Sequence, residues 1–320
     1  MQLSRRAALA LAAASLVAAP AFAQDWPAKP IRLIVPFPAG GGTDIIAREL
    51  TGKLAGYNFV IDNKPGAGGN LGVDAAAKSP ADGYTFVIGQ TSNLAINPTL
   101  YTRLPYNPLK DLTPVSLVAS SPLVIVASAK SPFHTLADIV KEAKAHPGSI
   151  NFASSGNGTV AHLTTVSFEK LAGIKLTHIP YKGAAQGATD VISGAVQLYV
   201  SSVPTLIGNI RSGKMRAIAV TSARRVGDLP EVPTIAESGY KGFEAVTWFG
   251  ILGPANLSKD IVAKLNADIN KALKDPDLKK QLDAQGADIL GGSAEHFDEL
   301  IRTDIPRWGA IVKESGARID

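Results

Sequence analysis

The sequence has no cysteine. That excludes disulfides, a thiol nucleophile, a zinc–thiolate site and a lipid-anchored N-terminal cysteine. Histidine is sparse. His134, His146, His162, His178 and His296 show no metal-ligand spacing, so no metal or cofactor is implied. No Gly-x-Ser-x-Gly elbow marks a hydrolase serine. No Gly-Lys-Ser/Thr closes a phosphate loop, and no clean Gly-x-Gly-x-x-Gly marks a dinucleotide site. Charge is also limited. The formal net charge of +5 includes Arg5 and Arg6. Without them it is +3, no basic block survives, and nucleic-acid binding has no support.

What is present begins with an export signal. Arg5 and Arg6 precede an apolar run from Ala7 to Ala19, interrupted only by Ser15, and Ala21-Phe22-Ala23 supplies the small residues of a cleavage site. The pattern predicts a signal peptide over residues 1–23, cut before Gln24. The run falls short of the roughly 17–25 residues that span a bilayer. Ser4-Arg5-Arg6 leaves general secretion and twin-arginine export both open. No later segment reads as transmembrane. The mature chain is thus expected in the periplasm, and roughly 300 residues suffice for two cores without disulfides.

Short apolar runs then alternate with amphipathic stretches, the pattern of an α/β fold with mainly parallel strands. Ile31–Val35, Asn58–Asp62 and Tyr84–Gly89 read as strands. A helix after Thr43 or Asp44 would bury Ile46, Leu50 and Leu54 at i, i+4, i+8. The apolar stretch Leu117–Ser128 contains Pro122 and is expected to be strand, break, strand, crossing between lobes. A second α/β series follows: strands near Asn151–Ser154, Leu176–Tyr181, Val196–Ser201 and Arg216–Thr221, with helices over Thr159–Leu171, Ala184–Ser193 and Leu206–Arg211. Val246–Gly250 reads as a return strand. The C-terminus is helical, with a break expected at Pro306. The resulting division is lobe 1 from 24–124 plus 247–320 and lobe 2 from 125–246, joined by two crossings that form a hinge over a cleft.

Two loops carry chemistry. Pro36–Asp44 joins a strand to a helix through Gly40, Gly41 and Gly42. Glycine admits close backbone approach and the following helix N-terminus favours an anion, although the same residues also make an ordinary strand-to-helix turn with no ligand. Asp44 would either accept a ligand hydrogen bond, cap the helix, or pair with Arg48 at i,i+4. Ser154–Thr159 repeats the logic in the second series, either gripping the other end of an anion or simply capping its helix. Tyr181-Lys182-Gly183 and Ser201-Ser202 end strands where open α/β sheets bind ligands. Lys182 is either the one cation placed to meet a carboxylate or a solvated surface lysine. His162 is positioned to face the cleft, and His178 to be satisfied within its strand.

These residues lie in an ordered set of motifs. Trp26-Pro27 is followed by Val35-Pro36-Phe37-Pro38-Ala39-Gly40-Gly41 with Asp44, then by Asn63-Lys64-Pro65-Gly66-Ala67-Gly68-Gly69-Asn70. Next come Pro80-Ala81-Asp82-Gly83-Tyr84-Thr85, Ser155-Gly156 with Gly158-Thr159 and His162-Leu163, Pro180-Tyr181-Lys182-Gly183, Val232-Pro233-Thr234 and Trp248-Phe249-Gly250. Over nearly the whole mature chain the sequence resembles the Bug family, the substrate-binding components of tripartite tricarboxylate transporters. The resemblance implies a two-lobed periplasmic-binding-protein fold of type II and a non-enzymatic role. It also implies a small organic acid as ligand (a di- or tricarboxylate or an aromatic acid), and membrane permease subunits as partners; a monomer is the default expectation for the mature chain. Carried over, it places Phe37, Ala39, Gly40, Gly41 and Asp44 at the site from one lobe. Ser155, Gly156, Thr159, His162, Tyr181, Lys182 and Gly183 come from the other, with Thr91, Ser92 and Ser202 also lining the cleft. Family members often carry an acidic residue where this chain has Ser201-Ser202, which leans the ligand away from amino groups. A sensor subunit reporting to a membrane partner, or an enzyme of the same fold using His162 and Asp44, are the readings the residues leave beside it.

Overall fold

The computed structural model describes residues 26–319. The expected signal peptide and cleavage point fall outside the described residues.

The order of elements explains how one chain builds two lobes. The first three strands are β1 (Ile31–Val35), β2 (Phe59–Asn63) and β3 (Thr85–Gln90), linked by helices α1 (Gly42–Gly52) and α2 (Asn70–Ala77). They pair in parallel in the order β2-β1-β3. A π-helical turn, Ser92–Ile96, and the short α3 (Asn97–Leu100) lead to β4 (Leu112–Ser128). The second series comprises α4 (Leu136–Ala145), β5 (Asn151–Ser154), α5 (Val160–Ala172), β6 (Thr177–Pro180), α6 (Ala184–Ser193), β7 (Leu198–Ser202), α7 (Val203–Arg211) and β8 (Met215–Val220). The chain returns through β9 (Val246–Pro254) and closes with α8 (Lys259–Ala272), α9 (Pro276–Ala284), β10 (Asp288–Ile289) and α10 (Ala294–Ser315).

The expected break at Pro122 is absent. β4 is one strand of 17 residues, and what changes along it is its partners. Leu112–Pro122 pairs antiparallel with β9. From Leu123 onward the same strand pairs with β7 on one side and β8 on the other. Proline has no N–H to give, so it fits where one ladder ends and the next begins. The crossing is stitched by Thr221, which is fully buried. Its hydroxyl accepts from Leu123 N–H at 2.9 Å and donates to Ala245 O at 2.6 Å.

α10 likewise runs unbroken through Pro306. Phe297, Ile301, Trp308 and Val312 form a buried stripe along it. That stripe outweighs the single backbone hydrogen bond a proline removes. Asp304 on the same helix accepts from Trp248 Nε1 at 2.6 Å and ties α10 to the hinge strand β9. The expected stripe of α1 is present: Ile46, Leu50 and Leu54 are buried. Among the described residues no helix is long and apolar enough to cross a membrane.

Candidate functional site

Four helices begin at one cleft between the two halves of the sheet. Gly41 precedes α1, Thr159 precedes α5, Gly183 precedes α6 and Ser202 precedes α7. All four of these residues line the same cavity, whose empty volume, open mouth included, is about 620 Å³. The first turn of each helix has amides with no intrahelical acceptor. Each terminus carries roughly half a positive charge, so together they present on the order of two. Lys182 is the only charged side chain among the described residues lining the cavity, and no carboxylate faces it. Phe37, Pro38, Leu123 and Phe249 supply apolar wall, and Gln90, Ser155 and Thr247 supply further polar groups. The arrangement suits a compact anion with an apolar body.

The sheet explains the convergence. β1 and β3 in one half, and β5, β6 and β7 in the other, all run parallel within their half. Parallel strands deliver the following helix N-termini to the same sheet end. The two halves face each other across β4 and β9.

Of the residues expected at the site, Phe37, Gly41, Ser92, Ser155, Thr159, Lys182, Gly183 and Ser202 line the cavity. Ala39 and Gly40 are exposed outside it. Asp44 is buried beneath the loop, and its carboxylate is fully engaged there. It accepts from Gly40 N–H, Arg48 Nε and Asn63 Nδ2, each at 2.9 Å. Burial pushes its pKa up, but those hydrogen bonds and the Arg48 charge outweigh burial and hold it below the ordinary carboxylate value. Asp44 braces the loop from below and does not line the cavity, and the helix cap is Gly41 rather than Thr43 or Asp44. Thr91 is buried, its hydroxyl accepting from Trp248 N–H at 3.0 Å. Tyr181 is buried too, its hydroxyl donating to Asp190 at 2.5 Å. Gly156 is part of the second loop's internal bonding and does not line the cavity.

His162 does not face the cleft either. Its ring stacks on that of His178 at 4.1 Å, and His178 stacks in turn on Phe152 at 4.8 Å. Nδ1 of His162 accepts from Gly158 N–H at 3.1 Å. Nε2 of His178 lies 2.6 Å from Ser154 Oγ, which also accepts from Gly156 N–H at 3.2 Å. Thr159 Oγ1 donates to Gly156 O at 2.9 Å and covers that carbonyl. The imidazoles therefore brace the second loop from behind. Burial pushes His162 down to about 4. Burial, with the neighbouring His162, pushes His178 down to about 3. Both values lie below the unfolded value of about 6.5. The unfolded chain takes up the protons, so stability falls as pH drops from about 6.5 toward 4. Both rings are expected to remain neutral at pH 5, read from their chemical shifts in NMR. A midpoint near 6.5 for either ring would contradict this.

Sequence reasoning missed Gln90, Thr205 and Thr247 as lining residues. Thr205 was within reach. Ser202-Val203-Pro204 is a helix start, with proline in the first turn, and reading α7 from Val203 places Thr205 beside Ser202 at the cleft.

Comparison with known proteins decides the family. Residues 45–317 match the profile of the tripartite tricarboxylate transporter family receptor. The chain belongs to this family. Among this receptor's relatives is the protein BugT of Bordetella pertussis, 39% identical over 307 residues, covering 95% of this chain and 94% of BugT. Among solved structures, Rhodopseudomonas palustris Rpa4515 with adipate superposes with a TM-score of 0.89 at 35% identity, covering 92% of this chain and 100% of that one. MatC of the same organism, with bound malate, gives 0.84 at 29% identity, covering 90% and 100%. The receptor thus has the two-lobed fold of periplasmic binding proteins, and its relatives bind substrates rather than convert them.

Proposed function

We propose that this receptor closes on a small organic carboxylate between its lobes and delivers it to the membrane permease subunits of a tripartite tricarboxylate transporter. The observation that carries the reading is the convergence of four helix N-termini and Lys182 on a cavity lined, among the described residues, by no acidic side chain. Amides and hydroxyls bind the carboxylates, the apolar wall takes the carbon chain, and closure excludes water, which strengthens each charge-assisted hydrogen bond. Adipate in Rpa4515 and malate in MatC point to a dicarboxylate, and an aromatic acid fits the same wall. An ammonium group would meet like charge with no carboxylate to pair it.

The proposed lobes are 24–124 with 247–320, and 125–246. The change of partners along β4 at Leu123 supports that division. The mature receptor is proposed to start at Gln24 in the periplasm and to act as a monomer. Its membrane partner would read the closed form, which a ligand favours by binding it better than the open one.

Calorimetry with refolded, ligand-stripped protein tests the reading. Adipate, malate, succinate and citrate are titrated into wild type and Lys182→Glu. At least one acid is expected to bind wild type, and the charge reversal is expected to weaken it by about tenfold, or ~1.4 kcal/mol. Equal affinity in the two proteins would remove Lys182 from the site.

A further inference from the structure

Two of the helix N-termini at the cleft are capped by a hydroxyl from the opposite lobe. Gly42 N–H, the first amide of α1, donates to Thr205 Oγ1 at 3.0 Å. Val160 N–H, the first amide of α5, donates to Ser92 Oγ at 3.2 Å. The exchange is reciprocal. The lobe holding β1 and β3 receives a hydroxyl from α7 and returns one from the π-helical turn.

Both hydroxyls stand on firm supports. Thr205 Oγ1 is 2.9 Å from Ser202 Oγ, so the pair shares a proton donor and presents lone pairs to α1. Ser92 is buried in the turn between Thr91, which accepts from Trp248 N–H at 3.0 Å, and Asn93, whose Oδ1 accepts from Gln90 N–H at 3.0 Å. Neither amide has an intrahelical acceptor, because each is the first of its helix. When the lobes part, each amide and each hydroxyl must turn to water instead.

We propose that Ser92 and Thr205 form a two-point latch that closes the lobes on each other directly, independent of any bridging ligand. This rests on the two-lobed receptor reading. A latch of this kind raises the population of the binding-competent closed form. It therefore scales the affinity of every ligand by one common factor. A side chain that touches the ligand would change the ranking of ligands instead.

The test has an arm that needs no ligand. Small-angle X-ray scattering of the stripped protein compares wild type with the double variant Ser92→Ala, Thr205→Val. The variant is expected to show the larger radius of gyration, and Thr205→Ser, which keeps the hydroxyl, is expected to match wild type. In calorimetry the double variant is expected to lose about tenfold in affinity for adipate and for malate alike, the effect of two net hydrogen bonds. Superimposable scattering curves for well-folded wild type and variant would overturn the latch. A loss confined to one acid would also overturn it, because it would make these hydroxyls ligand contacts. If wild type bound neither acid, the ligand reading would fail while the scattering arm still judged the latch.

Discussion

Gly158→Ala is expected to weaken ligand binding by at least about a hundredfold while leaving both lobes folded. Gly158 has φ +69°, in the left-handed region, where an L side chain costs roughly 1–2 kcal/mol. The larger obstacle is across the cleft. A Cβ at this position would lie 1.7 Å from Leu100 Cδ2 and 3.0 Å from its Cγ. Leu100 is itself buried in the core of the first lobe, so its side chain must repack or yield. Housing the methyl group is expected to draw the lobes apart at the second loop. That movement breaks the Val160–Ser92 hydrogen bond two residues away and lets water into the cleft. Calorimetry with an acid that binds wild type reads the loss, and denaturant unfolding checks the fold. Gly148→Ala serves as the control. Its φ is +80°, but its nearest contact is Thr177 Oγ1 at 3.6 Å, so it is expected to lower stability without lowering affinity. Equal affinity losses in the two variants would assign the effect to backbone strain rather than to closure.

Asp44→Ala is expected to destabilise the protein by about 2–4 kcal/mol, the range for removing one partner of a buried, hydrogen-bonded charge. The partners explain the size. Asn63 Nδ2 donates both to Asp44 and, at 3.0 Å, to Phe37 O. The carboxylate thus holds β2, the first loop and α1 in register, and its loss leaves part of the Asn63 amide unpaired and turns the Gly40 amide to water. Arg48 is about half exposed, so its ion pair contributes the smaller share. The pH dependence follows from the sign of the shift. The folded pKa is depressed, so the stabilisation is present above the unfolded value of about 3.9 and lost as pH falls through the folded value. Urea unfolding is therefore expected to show the gap between wild type and Asp44→Ala narrowing below about pH 4. A gap constant from pH 7 to 3 would mean that the carboxylate charge is not what matters there.

Much of the architecture is legible in the sequence because its signals are local. Apolar runs of strand length, glycine at strand-to-helix turns and the stripe Ile46, Leu50, Leu54 each report on a few neighbouring residues. The two prolines misled for the complementary reason. Pro122 and Pro306 are weak points in isolation, but the first sits where β4 changes partners and the second in a helix fixed by buried side chains on either side. At the cleft, the glycine loops and Lys182 announce themselves, since backbone amides at helix starts need no distant partner. Asp44 and His162 belong to the same motifs, yet their atoms are engaged by Asn63, Arg48, Gly158 and the His178 ring. Whether a polar side chain faces a ligand or braces a loop depends on residues far away in sequence. Thr205 shows the converse, since its role appears only once the lobe that holds Gly42 is set against it.

An anion site built from helix N-termini should bind acids and reject amines. The most direct measurement is the thermal shift of the stripped protein, starting at Gln24, with aliphatic and aromatic carboxylates and with the diamine of the same chain length as adipate. A carboxylate at a hundred times its dissociation constant is expected to add about 2.7 kcal/mol of stability, and the diamine is expected to add none. Stabilisation by the diamine equal to that by the acids, or native mass spectrometry of unstripped protein showing an amine in the cleft, would contradict the account.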